Sequence, residues 1–212
     1  MSLVDLGFRV VGARAQPHAA QPTIVLTLAV EERRGLELEG LALSCSVRIE
    51  PQRRGYSVDE ERRLIDLYGD VSRWSTTMRP VPWIETSLFA PAFDGQAEIA
   101  MTLPCSYDLE VSAAKYFSAL TDGDAALRLL FRGTAFVRGE HGLEMTPLPW
   151  DREATWRLPV ALWREAVDAC FPDAGWLRLR KETIGALLAF KGRHALPSWD
   201  GVITTLLSEA ER

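Results

Sequence analysis

Apolar and polar residues alternate along much of the first half of the chain. In residues 41–50 every odd position is apolar, whereas the even positions are small or polar. Because successive side chains of a strand point to opposite faces, this pattern predicts a strand with one buried and one wetter face. Residues 6–14 and 23–31 are also predicted strands. The short polar link at residues 32–35 predicts a hairpin between the strands at 23–31 and 41–50.

The period changes at residues 57–69. Ser57 and Glu60 have the spacing of a capping box, in which the serine hydroxyl accepts from the amide of Glu60 and the glutamate reaches back to the amide of Ser57. Apolar side chains then recur at helical spacing until Gly69, a residue type that commonly ends helices. The pattern predicts a helix inserted between strands.

Strand patterns return after a stretch without a clear period. Residues 70–82 contain Pro80 and Pro82 and are predicted to form an ordered loop. Residues 83–91 and 96–103 are predicted strands, and the Asp-Gly pair between them is typical of a tight turn.

Residues 107–138 contain two runs of alternating polarity around an Asp-Gly pair. This arrangement predicts a long hairpin. A helix over residues 110–120 is the alternative, because the segment around Ala113 and Ala114 favours helix locally. The sequence leaves the choice between strand and helix open.

The last quarter of the chain is helical in pattern. Pro159 stands where the first turn of a helix tolerates proline, and apolar residues recur at three- and four-residue spacing over 160–170. Residues 180–192 and the segment after Pro197 are predicted helices as well, with apolar stripes that face inward.

These elements together predict an α+β fold. It consists of an antiparallel sheet or sandwich with a helix inserted at about 57–69 and C-terminal helices at about 160–210. A single domain is expected over residues 1–212, mainly β in 1–158 and mainly α in 159–212, because the helices need a sheet to cover their apolar stripes.

Composition narrows the functional classes. The chain has 212 residues and a formal net charge of −5, which argues against a dedicated nucleic-acid binder. No apolar window is long enough for a membrane span, and charged residues interrupt the N-terminal segment where a signal peptide would be apolar. The three cysteines are far apart and fit reduced thiols. We therefore expect a soluble, cytoplasmic protein.

Motifs for catalysis or metal binding are not found in the sequence. The three histidines do not pair with another potential ligand at metal-site spacing, and no phosphate loop, dinucleotide fingerprint or nucleophile elbow is present. We predict no catalytic residue, no metal site and no cofactor.

Tryptophans are the most informative side chains. Five of the seven lie between residues 150 and 199. Rigid aromatic anchors are typical of binding surfaces, but they are equally typical of a sheet–helix core. Acidic residues beside tryptophans are also candidates for acid catalysis, although pairing with nearby arginines explains them as well. The candidate binding surface comprises Trp74, Trp83, Trp150, Asp151, Glu153 and Trp156.

Three stretches, residues 48–74, 105–120 and 147–180, resemble an uncharacterised family of actinobacterial proteins that are encoded beside genes for nickel–iron hydrogenases and their maturation factors. The resemblance runs over nearly the whole chain. It implies an accessory role linked to hydrogenases, with a hydrogenase subunit or maturation factor as partner. It carries over no catalytic residue.

The order of elements after residue 107 is also similar to that of the export chaperone SecB, although the inserted helix and the strands before it depart from that layout. The leading hypothesis is a non-enzymatic accessory, assembly or binding protein with a protein partner. The alternatives are an enzyme with a carboxylate site at Asp151 and Glu153 in a tryptophan-lined pocket, and a structural subunit of a larger complex. A homo-oligomer is left open.

Overall fold

A computed structural model describes residues 4–105, 111–139, 142–172 and 177–211. The strands are β1 (Leu6–Ala15), β2 (Thr23–Glu32), β3 (Glu37–Ile49), β4 (Val81–Asp94), β5 (Gln96–Pro104), β6 (Asp124–Gly139), β7 (Gly142–Pro147) and β8 (Glu153–Pro159). The α-helices are α1 (Val58–Tyr68), α2 (Trp74–Thr77), α3 (Ser112–Ala119), α4 (Val160–Asp168), α5 (Lys181–Arg193) and α6 (Trp199–Ala210). Short 3₁₀ turns span Pro51–Arg53 and Val71–Arg73.

The strands form two antiparallel sheets, which confirms the predicted α+β class. The three-stranded sheet has the order β1-β2-β5, and the five-stranded sheet has the order β4-β3-β6-β7 with β8 also paired to β6. The inner faces of both sheets contribute to one buried cluster, in which the rings of Phe8 on β1 and Phe131 on β6 stack with centroids 4.4 Å apart. The apolar positions of each alternating strand are therefore the inner positions.

The predicted hairpin between residues 23–31 and 41–50 is wrong, because β2 and β3 belong to different sheets. Glu32, buried at the end of β2, accepts hydrogen bonds from the amides of Asp5, Arg34 and Leu36 at 3.0, 2.8 and 2.9 Å. These bonds turn the chain out of one sheet and into the other. The chain passes between the two sheets a second time at the Asp-Gly turn after β4, since β4 pairs with β3 and β5 pairs with β2.

Glu32 is expected to make stability depend on pH. Burial alone would raise the pKa of its carboxyl, but the backbone hydrogen bonds from Leu36, Asp5 and Arg34 outweigh it and hold the pKa below its ordinary value. A depressed native pKa adds stability above the unfolded pKa of about 4.3, and this stability is lost as pH falls through the native pKa. In Glu32→Gln we expect the free energy of unfolding to fall by about 1–3 kcal/mol at pH 7.

The measurement is urea unfolding of both proteins at pH 7, 5, 4 and 3. The difference between wild type and Glu32→Gln should shrink as the pH falls, because the protonated wild-type carboxyl loses the advantage that the variant never had. A difference that stays constant from pH 7 to pH 3 would contradict the role of this carboxylate.

The predicted hairpin over 107–138 is also wrong. Residues 112–119 form α3, as the helical alternative stated, and β6 pairs with β3, β7 and β8 instead. The buried side chains Ala113, Tyr116 and Phe117 recur at three- and four-residue spacing, so they share one face of the helix. The first part of the predicted strand, residues 107–110, lies outside the described residues.

Helix α3 packs through aromatic rings. Phe117 is fully buried between Trp163 of α4, stacked at 5.3 Å between centroids, and Trp83 of β4 at 4.9 Å. The hydroxyl groups of Tyr116 and Tyr56 lie 3.0 Å apart, and the Tyr56 hydroxyl donates to the carbonyl of Pro51. Helices α3 and α4 thus share one aromatic cluster with the start of β4.

Helix α1 begins with the predicted capping box and carries a buried ion pair. The Ser57 hydroxyl accepts from the amide of Glu60, and the Glu60 carboxylate accepts from the amide of Ser57 at 3.0 Å. The same carboxylate is 3.0 Å from Nη2 of Arg54 and accepts from the amide of Thr121 at 2.8 Å. Both charged side chains are almost fully buried. Glu60 therefore joins α1, the turn before it and the connection between α3 and β6.

Contacts divide the chain into two compact units, Met1–Trp176 and Leu177–Arg212. The second unit contains α5 and α6, which pack against each other, with Nζ of Lys191 donating to the carbonyl of Pro197. Its predicted apolar stripes are largely exposed at Ile184, Leu188 and Leu207, so the prediction that they face inward is wrong there. The single-domain prediction stays a prediction.

No helix within the described part of the chain is both long and apolar enough to cross a lipid bilayer.

Candidate binding surface

Four apolar side chains lie together on the outer face of the five-stranded sheet. This apolar patch comprises Phe89, Phe136, Leu143 and Met145. Met145 lies directly opposite Phe136 across the β6–β7 pair, and the rings of Phe89 and Phe136 have centroids 6.3 Å apart. Phe89 and Leu143 are each 64% exposed, and Met145 is 72% exposed. Antiparallel sheets usually present polar side chains on the solvated face, so this grouping is unusual.

A glycine shapes the patch. Gly40 on β3 lies opposite both Pro91 and Phe136, and a Cβ atom at this position would be 2.8 Å from the tip of the Phe89 ring. The ring therefore rests against the bare backbone of β3. This contact holds an exposed aromatic side chain flat against the sheet, as a preformed apolar surface requires.

The other end of the same outer face carries an arginine cluster, which comprises Arg48, Arg53, Arg128 and Arg157. Nε of Arg53 is 2.6 Å from Glu50, and Nη2 of Arg128 is 2.5 Å from Glu153. Arg157 donates to the carbonyl of Arg53 at 3.3 Å. Arg48 is exposed and forms no ion pair with any described residue.

Three of the predicted surface tryptophans pack against the core. Nε1 of Trp74 donates to the carbonyl of Gly69 at 2.9 Å, and its ring meets Tyr56 edge-on. Trp83 packs on Phe117, and Trp156 is partly buried. The alternative that the sequence left open, a structural role, accounts for the contacts of these three rings.

The other predicted surface residues lie in or next to the connection between β7 and β8. Trp150 is almost fully exposed, and the carboxylate of Asp151 is exposed with Arg152 3.9 Å away. Glu153 pairs with Arg128. The structure thus brings Trp150, Asp151 and Glu153 close in the chain but does not gather all six predicted residues at one site.

An open groove of about 890 Å³ lies beside β1 and β8. Charged side chains of both signs line it, among them Arg9, Arg33, Glu31, Glu98 and Glu153. The guanidinium of Arg33 lies over Gly7, where a Cβ atom would be 2.5 Å from Nη2. Among the described residues, neither Asp151 nor a tryptophan lines the groove. The combination that the enzyme hypothesis required is therefore not assembled there.

Two of the three cysteines are buried. Burial raises the pKa of both the Cys45 and the Cys105 thiol to about 12, so these groups stay protonated at neutral pH. His194 stacks on Phe190 at 4.2 Å between centroids, and His141 lies outside the described residues. Across residues 4–105, 111–139, 142–172 and 177–211, no group of three histidine, cysteine or acidic side chains could hold a metal ion.

The apolar patch was not predicted, although its signal is present in the sequence. On β6 the buried residues occupy odd positions from Leu127 to Val137, and Phe136 is out of phase with them. Phe89 is likewise out of phase with Leu88 and Ala90 on β4. A large apolar residue at an outward position of an alternating strand is the pattern that identifies such a surface.

Comparison with known proteins gives a family without an assigned activity. No curated protein matches the sequence. Among solved structures, the chain is similar to a crystal structure of β-glucosidase from Kluyveromyces marxianus, with 6% identity and a TM-score of 0.26 over 74% of this chain and 16% of that chain. Residues 3–212 match the profile of a family of unknown function, DUF6084. The chain belongs to that family.

Proposed function

We propose that the protein is a non-enzymatic binding or assembly protein that holds a protein partner against the outer face of its five-stranded sheet. The observation that carries this proposal is the apolar patch. Contiguous exposed apolar surface is unfavourable in water and in soluble proteins often marks an interaction site. Aromatic residues and methionine are also the side chains enriched at the centres of protein interfaces.

The geometry of the patch fits a partner better than a small substrate. Phe89 and Phe136 lie on a strand surface and not at the base of a cavity, and Gly40 keeps the Phe89 ring against the backbone. A flat apolar surface buries little of a small molecule but can bury one face of a helix or strand. This supports a binding role over the carboxylate enzyme that was the alternative.

For the identity of the partner we carry forward the sequence resemblance. A subunit or maturation factor of a nickel–iron hydrogenase is the first candidate, and a second copy of the chain is another. The role is that of an accessory protein, comparable to a chaperone in having an exposed apolar surface.

Removing the apolar patch should abolish partner binding without unfolding the protein. In the double variant Phe89→Ser, Met145→Ser, we expect recovery of the partner by affinity purification from the native host to fall at least about tenfold, which corresponds to roughly 1.4 kcal/mol or more. The control is Val58→Ser, which removes an exposed apolar side chain on α1. Equal recovery with both variants, or no specific partner with the wild type, would contradict the proposal.

A further inference from the structure

Two arginines face each other on the outer side of the five-stranded sheet. Arg48 on β3 and Arg128 on β6 are direct cross-strand partners. Side chains at such positions start only about 4.5–5.5 Å apart, and like charges placed there are unfavourable. Glu153 and Glu50 lie near Arg128, whereas Arg48 has no acidic neighbour within ion-pair distance among the described residues. The ion pairs of Arg128 therefore offset part of this repulsion, and Arg48 is left without a counter-charge within the described part of the chain.

The rest of the arginine cluster increases the local positive charge. Arg157 on β8 lies opposite Ala126, which is two residues before Arg128 along β6. Among the described residues, Arg157 donates to a backbone carbonyl, that of Arg53. Arg53 pairs with the buried Glu50. Among the described residues, the four arginines form ion pairs with two acids, Glu50 and Glu153, in a chain whose formal net charge is −5. The negative net charge of the chain does not predict this local excess of positive charge.

The arginine cluster and the apolar patch belong to one surface. The outward positions of β6 run from Arg128 through Leu130, Arg132 and Thr134 to Phe136. A single segment of a partner that runs along β6 can therefore contact the arginine cluster and the apolar patch at the same time.

We infer that the partner presents an acidic segment next to apolar side chains, with its carboxylates at the arginine cluster and its apolar residues on the apolar patch. This inference rests on the proposed function and adds the chemistry of the partner. Carboxylates of the partner would supply Arg48 and Arg157 with the counter-charges that the described residues do not give them. Arginine also binds carboxylates in a two-pronged geometry, which favours an acidic peptide over a neutral one.

Nucleic acid is the other polyanion that an arginine cluster could bind. The apolar patch argues against it, because a phosphate backbone gives no complement to exposed phenylalanine and methionine side chains. A protein segment matches both ends of the surface.

The test uses two photo-reactive positions on the full-length protein in the native host. Benzoylphenylalanine replaces Leu143 in the apolar patch in one variant and Ser46 beside the arginine cluster in another. The cross-linked peptides are identified by mass spectrometry. We expect both positions to capture the same protein, and we expect the peptides captured at Ser46 to contain more aspartate and glutamate than lysine and arginine.

Charge reversal gives a second readout on the same samples. Arg48→Glu should lower capture at Leu143 at least about tenfold, whereas Arg48→Lys should keep most of it. The control is Arg14→Glu, which reverses an exposed arginine on β1 that forms no ion pair with a described residue. Because Arg48→Glu places a carboxylate opposite Arg128, its thermal midpoint should be no lower than that of the wild type. A midpoint at or above that of the wild type then separates loss of binding from unfolding.

The outcomes separate this inference from the proposed function. If Leu143 captures a protein but the peptides at Ser46 are neutral or basic, or if Arg48→Glu captures as well as Arg14→Glu, the acidic segment is refuted and the binding role stands. Capture that disappears after nuclease treatment would also overturn the inference. If neither position captures a specific protein, the proposed function and the inference both fail.

Discussion

Replacing Glu60 with glutamine is expected to lower the free energy of unfolding by about 3–5 kcal/mol, because it leaves a buried arginine without its counter-charge. Arg54 and Glu60 are both almost fully buried, and their atoms approach to 3.0 Å. The carboxylate also accepts from the amides of Ser57 and Thr121. Glutamine has only one oxygen for donors that now use two, so one donor faces an NH₂ group.

The pKa of Glu60 agrees with this account. Burial would raise it, but hydrogen bonds from the Ser57 and Thr121 amides, together with the Arg54 guanidinium, hold it below its ordinary value. The stability from the charged carboxylate is therefore present above an unfolded pKa of about 4.3 and is lost as pH falls through the native pKa. Glu60 and Glu32 therefore both lose their contribution to stability in the acidic pH range.

The measurement is urea unfolding at pH 7, with Asp59→Asn as the matched control. Asp59 is in the same helical turn and pairs with Arg62, but both side chains are exposed. Exposed pairs contribute about 0–1 kcal/mol, so this control should unfold close to the wild type. A loss of less than about 1 kcal/mol for Glu60→Gln would show that Arg54 finds other partners.

The second large effect is expected for Phe117→Ala, which should lower the free energy of unfolding by about 3–5 kcal/mol. Phe117 is fully buried between Trp83 and Trp163. Its removal leaves a cavity between two indole rings, which belong to a strand and a helix and cannot both move inward without shifting those elements. The loss of ring stacking adds to the loss of burial.

Phe89→Ala is the control for this substitution. It removes the same ring from an exposed position, so its effect on unfolding should stay within about 0.5 kcal/mol. The two variants should therefore separate stability from binding, since Phe117→Ala lowers the midpoint of urea unfolding and Phe89→Ala lowers partner capture. Similar midpoints for both variants would contradict the described packing of α3.

Local elements were predictable because their signals are local. The capping box at Ser57 and Glu60 identified the start of α1, alternation identified β3 and β5, and apolar β-branched residues identified β2. Alternation states which face of a strand is buried but not which strand lies beside it. Both sheets have one buried face, so the pattern of β2 and β3 was equally compatible with one sheet or two. The difference depends on Glu32, which binds the amides of Arg34 and Leu36 nearby and that of Asp5, 27 residues away in sequence.

Helix α3 was mistaken for a strand for a similar reason. Ala113 and Phe117 fit a period of two, but together with Tyr116 they also fit a helical period. Such a short segment does not distinguish the two periods, and packing against Trp83 and Trp163 favours the helix.

The binding surface was the least predictable part. The tryptophan content predicted a binding role for rings such as Trp83, which packs beside Phe117 in the structure. The apolar patch and the arginine cluster instead depend on register, which brings Met145 opposite Phe136 and Arg128 opposite Arg48. Register between strands far apart in the chain is not encoded by any one segment.

The pairing of β2 with β5 has a consequence for synthesis on the ribosome. Ile24 pairs with Leu103, about 80 residues later, and at about 5–20 residues per second the later strand follows after roughly 4–16 s. During this interval the edge of β2 that pairs with β5 has no partner strand. The three-stranded sheet therefore closes only after about half of the chain has been synthesised, and until then this edge is open to pairing with other chains.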